Sequence, residues 1–374
     1  MKKRSLAAKE GMTMKLGMAT GLFLGLLYCV AWPAYGHLDG AYSHDPDDPF
    51  TDRSQWMKTI RDDVQLSEMA LPGTHDSATF QVTWYPVYKD VVETQTLGFD
   101  KQLEYGIRVL DLRIRRTGDA LALHHGAVFL DRMLGSALEA IKRFLRDNPS
   151  ETVLVRVSDE HEADSNVSQS LEYVFDQYMQ LYSGIYLKTQ NPKLTLGEAR
   201  GKFVVLSADA RLNKFGLSYK DESVFNIQDD YSMESNWGLH DKYIKIKQQL
   251  HNAAAGSRDT FYVNYLSASH RSFPYFVASG HVSPGTDAAR LWTGLIDFGH
   301  SDLYPGFPRT GCAGGMCFIS FEGTNTLTRD DLKALNDQST QVRTVGVVIA
   351  DFPGDSLIDS VVRNNYRRGH DLGK

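Results

Sequence analysis

Cysteine is scarce in this chain: three among 374 residues. That excludes a small scaffold held together by several disulfides. There is no internal repeat, no low-complexity tract and no long run of one charge, so nothing marks a linker and a single domain is expected. No Gly-rich phosphate loop follows the first apolar strand, which argues against a doubly wound nucleotide-binding sheet. No second Cys or His pair stands at zinc spacing from Cys312 and Cys317, so a structural zinc site is disfavoured.

What is present is ordinary for a globular protein, with 42% hydrophobic and 23% charged residues. The first 36 residues differ from the rest. Lys2, Lys3, Arg4, Lys9 and Lys15 precede a largely apolar run from Leu16 to Trp32, and Ala34-Tyr35-Gly36 fits a small-x-small cleavage site. That layout predicts a secretory signal peptide over 1–36 and a secreted or periplasmic mature chain over 37–374. The alternative is an uncleaved anchor, since the run is near the lower limit for spanning a bilayer. Removing residues 1–36 takes away five basic residues and one acidic residue, Glu10, leaving 35 basic and 45 acidic residues and a formal net charge of −10. Bulk charge will not draw such a chain to nucleic acid or anionic lipid, so any membrane contact must come from local apolar side chains. Cys29 leaves with the signal. In an exported chain, Cys312-Ala313-Gly314-Gly315-Met316-Cys317 predicts a small disulfide-closed loop.

The stretch with the densest chemistry is Leu71-Pro72-Gly73-Thr74-His75-Asp76-Ser77-Ala78-Thr79-Phe80. Pro and Gly after an apolar run predict the end of a strand lying before Pro72, and a His-Asp pair exposed there suits proton transfer. Ile107 to Arg115 alternates apolar and charged residues, so Asp111, Arg113 and Arg115 share one face of a strand and Leu110, Leu112 and Ile114 the other. Ala120 to Leu123 is a further strand ending in His124-His125-Gly126, and alternation turns one imidazole of the two inward.

Beyond these, Gln55 to Ile60 predicts a short helix. Leu134, Leu138, Ile141 and Leu145 form one helical stripe that Asn148-Pro149 ends. Strands are expected at 151–157, 202–207, 225–228, 261–266 and 344–349, with helices at 167–181, 243–252 and 356–367. Strands alternating with helices, several of them apolar throughout, predict an α/β architecture: a single-domain (β/α) barrel of TIM type, distorted or incompletely closed. In such a barrel His75, His125, Asp229 and Asp351 stand at carboxyl ends of strands, the usual catalytic face.

Taken together, Gly73 to Phe80, Asp111-Leu112-Arg113 and Leu123 to Gly126 resemble the three segments G-T-H-D-S-x-T-F, D-I-R and L-H-H-G of the phosphatidylinositol-specific phospholipases C, in the same order and spacing. The resemblance is to the bacterial, single-domain, metal-independent branch. It continues through Arg146 to Thr152, Gly197 to Lys202 and Phe225 to Tyr231, and ends near Val347 to Phe352. The region from Gly299 to Lys333 has no counterpart in it.

The resemblance implies cleavage of phosphatidylinositol by its own inositol 2-hydroxyl, with no cofactor and no metal. It implies His75 as general base oriented by Asp351, His125 as general acid partnered by Asp76, and Arg113 on the phosphate. An acidic metal ligand stands at the place of Arg113 in calcium-dependent members. Asp229 and Tyr231 match the residues that hold the inositol ring. Two other headgroup contacts are lost, since the family's lysine falls at Ser158 and its arginine at Ala208; Asp159 or Asp209 are available as substitutes. His124 is expected to be structural or supporting, and His161, His270 and His300 to be surface or loop residues. Trp84, Tyr85 and Tyr88 are candidates for contact with the membrane by a monomeric enzyme. Rival readings are a related-barrel, metal-dependent phosphodiesterase acting on a glycerophosphodiester, and an inactive lipid-binding protein.

Overall fold

A computed structural model describes residues 40–82, 88–299, 302–337 and 344–366. The expected signal peptide and the residues Trp84 and Tyr85 lie outside the described residues.

The strands in chain order are β1 (Leu71–Thr74), β2 (Val109–Thr117), β3 (Ala120–His125), β4 (Val128–Met133) and β5 (Val153–Asp159). They continue with β6 (Phe203–Ser207), β7 (Leu217–Ser218), β8 (Phe225–Gln228), β9 (Ser232–Met233) and β10 (Phe261–Tyr265). The last are β11 (Ser269–His270), β12 (Trp292–Phe298), β13 (Arg309–Ala313), β14 (Met316–Ser320) and β15 (Val347–Ala350). Eight of them form a parallel row in the order β7-β6-β5-β2-β1-β15-β10-β8. Among the described residues no ladder joins β7 to β8. The barrel is therefore distorted and open on that side, as the alternation of strands and helices predicts.

Chain chemistry explains why these segments fold this way. β6, β10 and β15 are buried along their whole length, as strands covered on both faces must be. The helix Leu134–Asp147 buries its predicted stripe of Leu134, Leu138, Ile141 and Leu145 against the sheet and stops at Asn148. The helix Leu171–Leu181 starts later than its periodicity suggests because the Ser170 hydroxyl accepts a hydrogen bond from the Tyr173 N–H and caps it. The helix Leu239–Ala255 extends past both ends of the 243–252 stretch.

Two expectations are corrected. The first strand is not the apolar segment before Pro72; it runs through Pro72 and Gly73. Proline is tolerated because β1 meets β2 only from Gly73 opposite Val109 onward, so the missing N–H faces a point before that ladder begins. Pro72 still contributes its carbonyl, which accepts from the Arg108 N–H at 2.9 Å. Gly73 is required by close approach, since a Cβ there would lie 2.9 Å from Val109 Cβ and 3.1 Å from Ile349 Cγ1. The second correction is that β3 is not a barrel strand. Only Gly118 and Asp119 separate it from β2, with Thr117 opposite Ala120, and a two-residue turn allows only an antiparallel return. β2, β3 and β4 thus form an antiparallel extension of one barrel strand.

The stretch from Gly299 to Lys333 contributes β13 and β14, which join the preceding β12 in a separate three-stranded antiparallel sheet, β12-β14-β13, and most of the helix Thr324–Asp337. The expected Cys312–Cys317 disulfide is present and closes the β13–β14 hairpin.

At the barrel end away from the catalytic face, Arg108 and Glu151 are fully buried as a pair, with Nη2 2.7 Å and Nε 3.1 Å from Glu151 Oε2. The remaining guanidinium donors reach the carbonyls of Leu103, Ile107, Arg53 and Ser54. Every donor has an acceptor, so the charge is tolerated and ties the lead-in chain to the barrel floor. Arg108→Met should therefore destabilise the protein by about 3–5 kcal/mol, because it strands the Glu151 carboxylate in the interior. Chemical denaturation would read this, and adding Glu151→Leu should recover part of the loss.

Candidate active site

His75 leaves β1 and Asp351 leaves β15, and these strands are neighbours. The His75 N–H donates to the Ala350 carbonyl at 3.1 Å, which locks the two strand ends together. His75 Nδ1 then lies 2.7 Å from Asp351 Oδ1. On its other side, His75 Nε2 lies 2.6 Å from Arg113 Nη2. A guanidinium only donates, so Nε2 must hold a lone pair and Nδ1 the proton. Asp351 thereby fixes the tautomer with its basic nitrogen aimed into the pocket.

Arg113 is the hub of the cluster. Its Nη1 donates to Glu160 Oε1 at 3.0 Å, and its Nε lies 3.6 Å from both Asp76 Oδ2 and Asp111 Oδ2. Asp111 is also paired with Arg156, and its Oδ2 accepts from the Asp76 N–H at 3.2 Å. Asp76 sits at a positive φ of 41°, a conformation that Asp tolerates better than most residues. His125 completes the set, its Nε2 3.8 Å from Asp76 Oδ2. Alternation works as expected on both strands. Asp111 and Arg113 point inward while Arg115 pairs with Asp164, and His125 lines the pocket while His124 is buried against the Phe129 ring.

These residues line a cavity of about 460 Å³ at the carboxyl ends of the strands. Asp229, just after β8, and Tyr231, 65% exposed, stand on its wall. Ser158 and Ala208 line it too, as do Asp159 and Asp209, but Arg211 engages both of these carboxylates. Sequence reasoning passed over Glu160, Arg156 and Lys220, which also line the cavity. Arg156 was legible: it alternates with Ser158 on β5 just as Asp111 alternates with Arg113 on β2. His161 and His270 are exposed, and His300 lies outside the described residues. Among the described residues no group of three or more His, Cys, Asp or Glu is arranged to hold a metal ion.

Comparison with known proteins agrees with this geometry. Residues 69–208 match the family model "Phosphatidylinositol-specific phospholipase C, X domain", the stretch that carries His75, Asp76, Arg113 and His125. The match covers that part of the chain alone. Its sequence is 28% identical to a 1-phosphatidylinositol phosphodiesterase of Listeria monocytogenes over 83% of this chain and 84% of that one. A 1-phosphatidylinositol phosphodiesterase of Staphylococcus aureus is 26% identical over 70% of this chain and 85% of the relative. The fold matches the phosphatidylinositol-specific phospholipase C structure from L. monocytogenes, with a TM-score of 0.61 at 24% identity, over 84% of this chain and 99% of that one.

The site separates its titratable groups sharply. Burial opposes a charge on His75, but the Asp351 carboxylate outweighs both that and the repulsion of Arg113, and holds the imidazole above its ordinary value. His125 has no such partner, and burial together with the charges of Arg113 and His75 pushes it down to about 3. Burial raises Asp76 to about 7, with Arg113 pulling the other way and Asp111 adding to the rise. Asp111 is held well below the usual carboxylate range, since the Arg156 and Arg113 guanidiniums overcome its burial. Asp76 is thus the carboxyl of this site that keeps its proton toward neutral pH. A carboxyl that binds its proton more tightly folded than unfolded loses stability as pH rises, here between about 4 and about 7. Asp76→Asn should remove that slope: its melting temperature, relative to the parent, should rise from about pH 4.5 to about pH 7.5. A constant difference across that range would show that Asp76 titrates as an ordinary carboxylate.

Proposed function

We propose that this chain cleaves the phosphodiester of phosphatidylinositol, releasing diacylglycerol and inositol 1,2-cyclic phosphate. The observation that carries the reading is one guanidinium, Arg113, bonded to the His75 imidazole that Asp351 orients and paired with Asp76, the carboxyl nearest the His125 imidazole. The curated relatives bear the name of this activity.

His75 Nε2 takes the proton of the inositol 2-hydroxyl, made more basic by the carboxylate behind it. The oxygen so freed attacks the phosphorus, and the bond from phosphorus to the glycerol oxygen breaks. His125 returns a proton to that leaving oxygen. Arg113, released from Glu160 by the incoming phosphate, grips the non-bridging oxygens with its fork of donors as their charge grows. Because attack is intramolecular, no serine or cysteine nucleophile is required. His125 is too weak a base to be charged in the empty site; the negative phosphate raises its affinity for the proton supplied through Asp76. Asp229 and Tyr231 hold the headgroup by hydrogen bonds and ring stacking.

Ser158 and Ala208 at the cavity wall favour a second reading, in which the same proton transfers act on a phosphodiester with a different headgroup. A site with every proton-transfer group present speaks against an inactive lipid-binding protein. The reading carries with it an exported, monomeric enzyme that meets its lipid at a membrane surface, with Tyr88, 58% exposed, as one contact.

Phosphorus NMR of phosphatidylinositol vesicles incubated with the mature protein should show the cyclic phosphate appearing at equal rates with chelator and with calcium. Cleavage only with calcium would remove Arg113 from its role. His125→Ala should cost turnover roughly 10²–10⁴-fold, the usual size of general acid–base contributions. Turnover of another phosphodiester but not phosphatidylinositol would favour the second reading.

A further inference from the structure

Two arginines are held deep in this barrel, and they spend their donors differently. Arg108, at the floor, has an acceptor for each of its nitrogens. Arg156 does not. It stands on β5 in register with Asp111 of β2, and its side chain is 17% exposed. Nη1 makes all its hydrogen bonds, to Asp111 Oδ1 and, at 3.3 Å, to Ser158 Oγ. Among the described residues Nε and Nη2 have no hydrogen-bond partner. The guanidinium is braced from one side by the Tyr219 ring, 5.2 Å away, and the Tyr219 hydroxyl is 2.9 Å from that of Tyr265. A braced, mostly buried cation with two unspent donors is costly unless something else accepts from them.

The free edge opens on the cavity, which Arg156 lines. The next residue on the same face of β5 is Ser158, and the adjoining strand β6 ends just before Ala208. Both line the cavity, and both are too small to cover a guanidinium. The edge formed by Nε and Nη2 presents two parallel N–H donors, a geometry that suits two adjacent oxygens. Charge decides what carries those oxygens. Asp111 already balances Arg156. The rest of the wall holds five carboxylates, Asp159, Glu160, Asp209, Asp229 and Asp351, against the cations Arg113 and Lys220 and the Arg211 that engages Asp159 and Asp209. Five negative charges against three positive ones disfavour a second anionic group there. Neighbouring hydroxyls of an uncharged polyol fit.

We infer that Arg156 is a specificity-determining residue, its Nε–Nη2 edge donating to two adjacent hydroxyls of the headgroup. The inference rests on the proposed cleavage of an inositol phosphodiester and names a group that selects its ring. It also couples selection to chemistry. Asp111 bonds to Arg156 and lies 3.6 Å from Arg113 Nε, so one buried carboxylate ties the guanidinium that reads the ring to the guanidinium that grips the phosphate. A ring seated on Arg156 thereby sets the phosphate in register with Arg113 and His75.

The test uses the full mature protein and two soluble phosphodiesters with the same leaving group. One carries inositol; the other carries a hydroxyalkyl chain whose single hydroxyl is the attacking one. Arg156→Lys keeps a positive charge beside Asp111 but removes the paired donors. The ratio of kcat/KM for the inositol ester to that for the hydroxyalkyl ester should fall roughly tenfold to hundredfold, the worth of one charge-assisted hydrogen bond. Ser158→Met, which covers the free edge and leaves the pair with Asp111 alone, should lower the same ratio and serves if the lysine variant does not fold. An equal loss on both esters would overturn the inference, since a merely structural arginine slows both alike. An unchanged ratio in both variants would overturn it too. Calorimetry with myo-inositol separates this from the proposed activity. A parent that cleaves neither ester, yet binds myo-inositol tenfold or more tightly than Arg156→Lys, would overturn the activity and leave the role of Arg156 standing.

Discussion

The guanidinium of Arg113 is the group on which the catalytic end of the barrel depends. Around it stand Asp76, Asp111 and Glu160, the Nε2 of His75 and, one step further, Arg156 and His125. Carboxylates at this depth would be far too costly alone. Two arginines among them make ionisation of Asp111 favourable, and the same positive charge keeps His125 neutral. Burial, the two guanidiniums and the Asp351 carboxylate thus set the site's charge pattern before any ligand arrives.

The barrel makes that cluster possible by bringing distant segments to one end. The row β2-β1-β15 places residues 113, 75 and 351 side by side, the last two at the ends of short strands that are buried throughout. The hairpin grown from β2 supplies His125 from an antiparallel strand rather than from a barrel strand. This brings the second imidazole to the wall of the cavity that the first also lines. The opposite end is held by a fully paired ion pair, Arg108 with Glu151, with apolar packing between the two ends.

The opening between β7 and β8 is consistent with the composition of those strands. β7 is two residues long and β8 buries only its first residue fully, so neither has the apolar length that would make closure favourable. The cavity wall on that side is built from loops carrying Asp209, Lys220, Asp229 and Tyr231. The proposed headgroup contacts thus come from loops and the proposed proton-transfer groups mainly from strand ends.

By itself the sequence determined a good deal. Period-two alternation sorted Asp111 and Arg113 from the leucines of β2, and His125 from His124. Helical stripes located the helix Leu134–Asp147. The motif order pointed to the candidate proton-transfer residues, and two close cysteines after a signal-like leader pointed to their bridge. These are local properties, written in spacing and side-chain type. Only the tertiary structure decided the rest: that Pro72 lies within a strand, that β3 turns back rather than crossing over, and that Glu160 and Arg156 join the cluster. Each depends on which strands become neighbours, and that is set by long-range pairing and burial, which residue spacing does not encode.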